Sequence, residues 1–237
     1  MSEKLQPTGS DDTKLAQSLY VPIKRRSFFM YAGATAGATA LLLSSCDDDD
    51  DTVTPGTVSL GAGDVGVLNY AYALEQLEAA FYAKVVSAPA SDFSANELTY
   101  FQQVAKHEAI HRDFLKAAIN RDAPGKIIQD LTPVFTTIDF TKRAAVLDAA
   151  KTFEDLGVAA YNGAGKLIKT AAYLVIAGQI VSVEARHAAI VRDFISNGTF
   201  SDTADSNGLD QAMVPTQVLA AAQTYVSQKL DGSQVGV

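Results

Sequence analysis

Glu108 and His111 stand three residues apart, and Glu184 and His187 repeat that spacing, in a chain of 237 residues that has only three histidines. Residues three apart on an α-helix are neighbours, about 5 to 6 Å between Cβ atoms, so each Glu-x-x-His sets one oxygen donor beside one nitrogen donor. Two more glutamates extend the pattern. Leu74-Glu75-Gln76-Leu77 followed by Tyr82 matches Phe153-Glu154-Asp155-Leu156 followed by Tyr161, with glutamate and tyrosine seven apart in both. Glu75 lies 33 residues before Glu108 and Glu154 lies 30 before Glu184, a near-repeat expected of two related helical pairs. Four carboxylates carry the charge that two divalent cations cancel, and two imidazoles add neutral nitrogen ligands. The expected ligands of a paired metal site are therefore Glu75, Glu108, His111, Glu154, Glu184 and His187.

A blander reading has these glutamates solvated and the histidines as ordinary core residues. It fails if the stripes face inward, because four carboxylates buried against one another lose several kcal/mol per unpaired ion. Protonating them at neutral pH is also unfavourable. Other residues are less decisive. Glu78 shares the face of Glu75, but its counterpart in the second hairpin is Gly157, which marks it as a peripheral or optional ligand. His107 sits about 100° around the helix from Glu108, at 3.6 residues per turn, and is expected to be exposed or flanking. Tyr82 and Tyr161 suit either hydrogen bonds to ligand carboxylates across the bundle or ordinary aromatic packing. No catalytic group beyond the metal ligands stands out.

Long helices must carry these side chains. Leu68, Tyr72, Glu75, Ala79, Tyr82 and Val86 recur at helical spacing after Asp64, a candidate N-cap, and predict a first helix to about Val86. Ser94 and Glu97 form a capping-box signature that opens a second helix, ended near Asp122 by Pro124 and Gly125. A third runs from near Thr141 until it fades at Gly163 and Gly165, and a fourth from about Thr170 to Ser196. Short links join the first to the second and the third to the fourth, so each pair is an antiparallel hairpin. The stretch from Ala123 to Phe140 is long enough to cross the bundle, which gives an all-α four-helix bundle with one long crossover. A fifth, short helix over PTQVLAAAQTYVSQKL is expected on the outside.

The stretches LEQLEAAFY (74–82), HEAIHRDF (107–114), FEDLGVAAYNGA (153–164) and VEARHAAI (183–190) resemble the ferritin-like superfamily over roughly residues 62–196. Within it they are similar to bacterial ferritin-like domain proteins related to plant desiccation-related proteins. The resemblance implies a ferritin-like fold and assigns the same six residues as ligands of two iron or manganese ions. The superfamily includes ferroxidases, rubrerythrin-type peroxidases, oxygenases and dimanganese catalases, so it does not select one reaction. No rubredoxin-like cysteine motif is present, which opposes a complete rubrerythrin. Two functions follow as expectations. One is a redox protein acting on oxygen or peroxide, by ferrous iron oxidation or peroxide removal. The alternative is a non-enzymatic, stress-protective or scaffolding bundle with a vestigial or structural metal pair.

The first quarter of the chain is of another kind. Arg25 and Arg26 precede SFFMYAGATAGATALLLSS, a run too short and too rich in Gly, Ala and Thr for a membrane span, and the pair resembles a twin-arginine export signal. Leu43-Ser44-Ser45-Cys46 resembles a lipoprotein cleavage box with Cys46 as the lipidated residue. The expected organisation is a signal over 1–45, an acidic flexible tether over 46–61 containing Asp47 to Asp51, the helical bundle over 62–197, and a C-terminal loop and short helix over 198–237. That implies an exported protein held at the cell envelope by a lipid. Cys46 is the one cysteine, so no thiolate remains for a metal or a disulfide. Without residues 1–45 the charge is 14 basic against 24 acidic residues, a net of -10, which opposes nucleic-acid binding.

Overall fold

A computed structural model describes residues 56–237. The expected export signal, Cys46 and the Asp47 to Asp51 run lie outside the described residues. Four long helices form the body: α1 (Gly63–Ser87), α2 (Ala95–Asp122), α3 (Arg143–Gly165) and α4 (Ala171–Ile195). Helices α1 and α2 pack as one hairpin and α3 and α4 as the other. A shorter helix, α5 (Pro215–Ala222), leans on α3, and a two-stranded parallel sheet joins β1 (Thr57–Ser59) to β2 (Lys229–Asp231).

The crossover between the hairpins is fixed to α1 along its whole length. Asn69 donates to the carbonyls of Leu60 and Lys126 and accepts from the Ile128 amide. Two turns on, Gln76 accepts from the Leu131 amide, and beyond it Phe81 packs against Phe135 and Phe140. Asp92, past the end of α1, accepts the Arg143 amide and starts α3 at that end of the bundle. Covered by the crossover outside and by three helices inside, α1 buries 17 of its 25 residues. A helix apolar around most of its circumference belongs in such a central position. Helix α4 is the opposite case, burying only Ile180, Glu184, His187, Ala188, Val191 and Arg192.

The ends of the elements follow local chemistry, with two corrections. Ser94 and Glu97 form the capping box at α2, each side chain bonding the other's backbone amide. Asp64, however, does not cap α1, whose N-cap is Ala62. The Asp64 carboxylate turns to the amides of Lys169 and Thr170 and ties the entrance of α4 to the start of α1. The second correction concerns the last helix, which stops at Ala222 rather than near Leu230. Gln223 accepts from the Leu230 amide and donates to the carbonyls of Val226 and Gln228, folding the chain back on itself. The returning segment pairs Val58 with Leu230 and bonds the crossover through Val134 and Ser227, so tertiary pairing outweighs helical propensity there.

Candidate metal centre

Each of the four helices contributes to one buried cluster at mid-bundle. Glu75 comes from α1, Glu108 and His111 from α2, Glu154 from α3, and Glu184 and His187 from α4. All four glutamates are fully inaccessible to solvent. The side chains sort into two sets, Glu75 with Glu108, His111 and Glu184, and Glu108 with Glu154, Glu184 and His187, whose donor atoms lie within 4.8 Å of one another. Glu108 and Glu184 belong to both sets and so lie between two centres.

Both imidazoles aim Nδ1 inward. His111 Nδ1 is 2.9 Å from Glu184 Oε1, 3.3 Å from Glu108 Oε2 and 3.6 Å from Glu75 Oε2. His187 Nδ1 mirrors this at 2.9 Å from Glu108 Oε1, 3.6 Å from Glu154 Oε2 and 3.9 Å from Glu184 Oε2. Of these approaches only that of His111 Nδ1 to Glu108 Oε2 has hydrogen-bond geometry. Glu75 Oε2, Glu108 Oε1, Glu154 Oε2, both oxygens of Glu184 and His187 Nδ1 are buried without any hydrogen-bond partner. Buried polar atoms are normally satisfied, and here the orphans of two sets of donors face common points. Donors bound to one ion at about 2.0–2.2 Å stand about 3 Å apart around it. The spacing and the donor types therefore fit a metal site.

Electrostatics point the same way. In the metal-free protein burial pushes Glu75 and Glu184 up to about 8 and Glu154 up to about 7, with the imidazoles only partly opposing it. Glu108 is desolvated as well, but the nearness of both imidazoles brings it down to about 2. Against their own desolvation, the surrounding carboxylates raise His111 to about 12 and His187 to about 10. Protons thus occupy the cluster in place of cations, and the four carboxylates left ionised when those protons leave would carry the charge that two divalent ions balance.

The two tyrosines are not mere packing. Tyr161 of α3 donates to Glu75 Oε1 of α1 at 2.5 Å, and Tyr82 of α1 donates to Glu154 Oε1 of α3. Each hairpin thereby orients the carboxylate of the other, leaving the second oxygen of each glutamate free to face the centre. Glu78 lies outside both donor sets, buried one turn beyond Glu75 against α3. Gly157 makes the room, since a Cβ there would lie 2.9 Å from Glu78 Oε1. Burial, then repulsion from Glu184 and Glu75, holds the Glu78 carboxyl well above its ordinary range.

His107 is exposed yet sits against the cluster's outer edge. Its Nδ1 is 2.9 Å from His187 Nε2, with ring planes 11° apart. Burial, reinforced by His187, pushes the His107 pKa down. Sequence spacing places it off the inward stripe, and its 100° offset turns it toward α4 across the bundle edge. The repeat does not extend to it, because the residue equivalent to His107 is Val183. Around these rings a groove of 670 Å³ opens between α2 and α4, lined by Tyr100, His107, His111, Arg186, His187 and Ile190 among others. It reaches the histidine side of the cluster from solvent.

A scan against family models matches the ferritin-like domain over residues 63–197, the segment that holds all four long helices and all six cluster residues. A search of curated proteins returns no match. More than half of the chain lies within the matched segment, and the protein belongs to the ferritin-like domain family.

Proposed function

We propose that this chain is a di-metal carboxylate protein of the cell envelope that carries out redox chemistry with oxygen or peroxide. Ligation by Glu75, Glu108, His111, Glu154, Glu184 and His187 is the core of the reading. The observation that carries it is the set of six orphaned atoms, all from this cluster, buried together and directed at shared points. Iron or manganese held by carboxylates and imidazoles supplies reversible electron transfer toward dioxygen or peroxide.

The chain's own part is binding, orientation and exclusion of water. Glu108 and Glu184 would serve both ions, Glu75 and His111 one, and Glu154 and His187 the other. Tyr161 and Tyr82 hold Glu75 and Glu154 by one oxygen each, and each keeps a phenolic proton against its carboxylate. Tyr82, Phe81 and Phe101 are fully buried and keep water from one side of the cluster. The α2–α4 groove offers the route for a small oxidant or a ferrous ion. Export with a folded, loaded centre agrees with the paired Arg25 and Arg26, and Cys46 followed by five aspartates supplies an anchor and a spacer.

Metal analysis of the full chain purified from its own cells, with peroxide-consumption and ferrous-oxidation assays, tests the reading. Two redox-active ions per chain with turnover support it. A metal-free protein whose stability is unchanged in Glu108→Ala overturns it in favour of a structural bundle. Cys46→Ala is expected to release the protein from membranes, and retention would remove the anchor from the proposal.

A further inference from the structure

The cluster is nearly two-fold symmetric in its donors but not in what stands behind them. His187 Nε2 meets His107 Nδ1 at 2.9 Å, and the ring centroids are 5.1 Å apart in planes 11° from parallel. The N···N contact accounts for more than half of the centroid separation, so the rings meet edge to edge, as in an N–H···N bond. His111 occupies the equivalent place on α2, and the residue standing where His107 stands in the repeat is Val183. Among the described residues no side chain bonds the outer nitrogen of His111, which faces the groove.

We propose that His107 is a positioning residue that fixes His187 with Nε2 protonated and the Nδ1 lone pair aimed at the centre, making the two metal positions unequal. The inference rests on the di-metal reading above. A neutral imidazole that ligates through Nδ1 must carry its proton on Nε2, and that proton needs an acceptor. His107 Nδ1 is that acceptor, and its own Nε2–H is left to the solvent in the groove. The position served by Glu108, Glu154, Glu184 and His187 thus has a ligand ring already held in orientation and tautomer. The position served by Glu75, Glu108, His111 and Glu184 has a ring free of that constraint. Metal fills the first position before the second.

Titration of the metal-free full chain with Mn²⁺, followed by calorimetry and electron paramagnetic resonance, reads the two affinities separately. Wild type is expected to take two ions with unequal affinity. In His107→Phe the tighter of the two weakens by about 10- to 100-fold, the usual effect of losing such a partner, and the weaker is unmoved. His107→Gln offers an amide oxygen to the same N–H and restores most of the loss, which a purely packing role does not predict. Nitrogen-15 spectra of the Zn²⁺-loaded protein give a second readout, with a slowly exchanging His187 Nε2–H in wild type that exchanges fast in His107→Phe. Wild type that binds two ions while His107→Phe binds them identically overturns this inference alone. Wild type that binds no Mn²⁺ overturns it together with the di-metal reading.

Discussion

Tyr161 donates its hydroxyl to Glu75 across the interface of the two hairpins at 2.5 Å, and Tyr82 returns the same bond to Glu154. The pair is reciprocal, each helix giving one phenol and receiving one at its own carboxylate. Deleting either hydroxyl strands a buried carboxylate oxygen, and an unsatisfied buried acceptor costs about 1–3 kcal/mol. Tyr161→Phe and Tyr82→Phe should each destabilise the protein by that amount in denaturant unfolding and should weaken metal binding. Tyr70→Phe is the control. The Tyr70 hydroxyl is buried without a partner, so its removal should be neutral or stabilising by about 1 kcal/mol. Equal losses in all three variants would mean that packing, not the hydrogen bonds, sets the effect.

Glu78 and Gly157 form a complementary pair across α1 and α3, the carboxyl filling space that a methyl group would take. Gly157→Ala should cost about 1–3 kcal/mol, as overpacking of a core does. Glu78→Ala should relieve most of that cost, giving a coupling above about 0.5 kcal/mol in a double-mutant cycle. Because burial favours the uncharged form of the Glu78 carboxyl and Glu78 lies outside both donor sets, Glu78→Gln should leave both stability and the number of bound ions near wild type. Loss of an ion in Glu78→Gln would instead make Glu78 a ligand.

How much of this is legible in sequence depends on whether a residue acts through its own helix or through a distant one. The helices and the six cluster residues follow from period and repeat, because a Glu-x-x-His stripe needs nothing outside its own turn to be recognised. The capping box at Ser94 is equally local. Asp64 is also a good N-cap by type, yet the amides it bonds belong to residues 169 and 170, more than a hundred positions away. The same distance hides β2, whose partner strand lies at the other end of the domain. His107 looks peripheral because its partner, His187, is on another helix, and the choice between bonding and packing for Tyr82 and Tyr161 needed the crossing of α1 and α3.

Asn69 offers the sharpest test of how the crossover is held. Buried almost completely, it makes three bonds, to Leu60, Lys126 and Ile128, and fixes the start of the connection to α1. Asn69→Ala leaves two carbonyls and one amide to find other partners, and a loss of about 3 kcal/mol is expected from groups worth about 1 kcal/mol or more each. Hydrogen exchange should show the amides of Ile128 and Leu131 losing protection ahead of the α2 core. Uniform loss across the bundle would show that the crossover does not open as a separate unit.

The proton load of the centre sets the pH response of the metal-free protein. Glu75 and Glu184 at about 8 and Glu154 at about 7 bind protons more tightly folded than at their ordinary 4.5. Between those limits the folded state therefore holds more protons than the unfolded chain, and stability falls as pH rises. His111 and His187 act with the same sign, their contribution complete below the ordinary 6.5 and lost as pH climbs through about 10 and 12. Glu108, brought down to about 2, opposes them only below its ordinary 4.5. Metal-free protein should accordingly melt highest near pH 5 and progressively lower to pH 8. Divalent ions displace these protons and bind better as pH rises, so the gain in melting temperature on adding Mn²⁺ should grow over the same interval. Thermal unfolding at pH 5, 6, 7 and 8, with chelator and with Mn²⁺, measures both trends. A metal-free melting temperature that rises from pH 5 to pH 8 would contradict a buried, proton-holding cluster at the centre of the bundle.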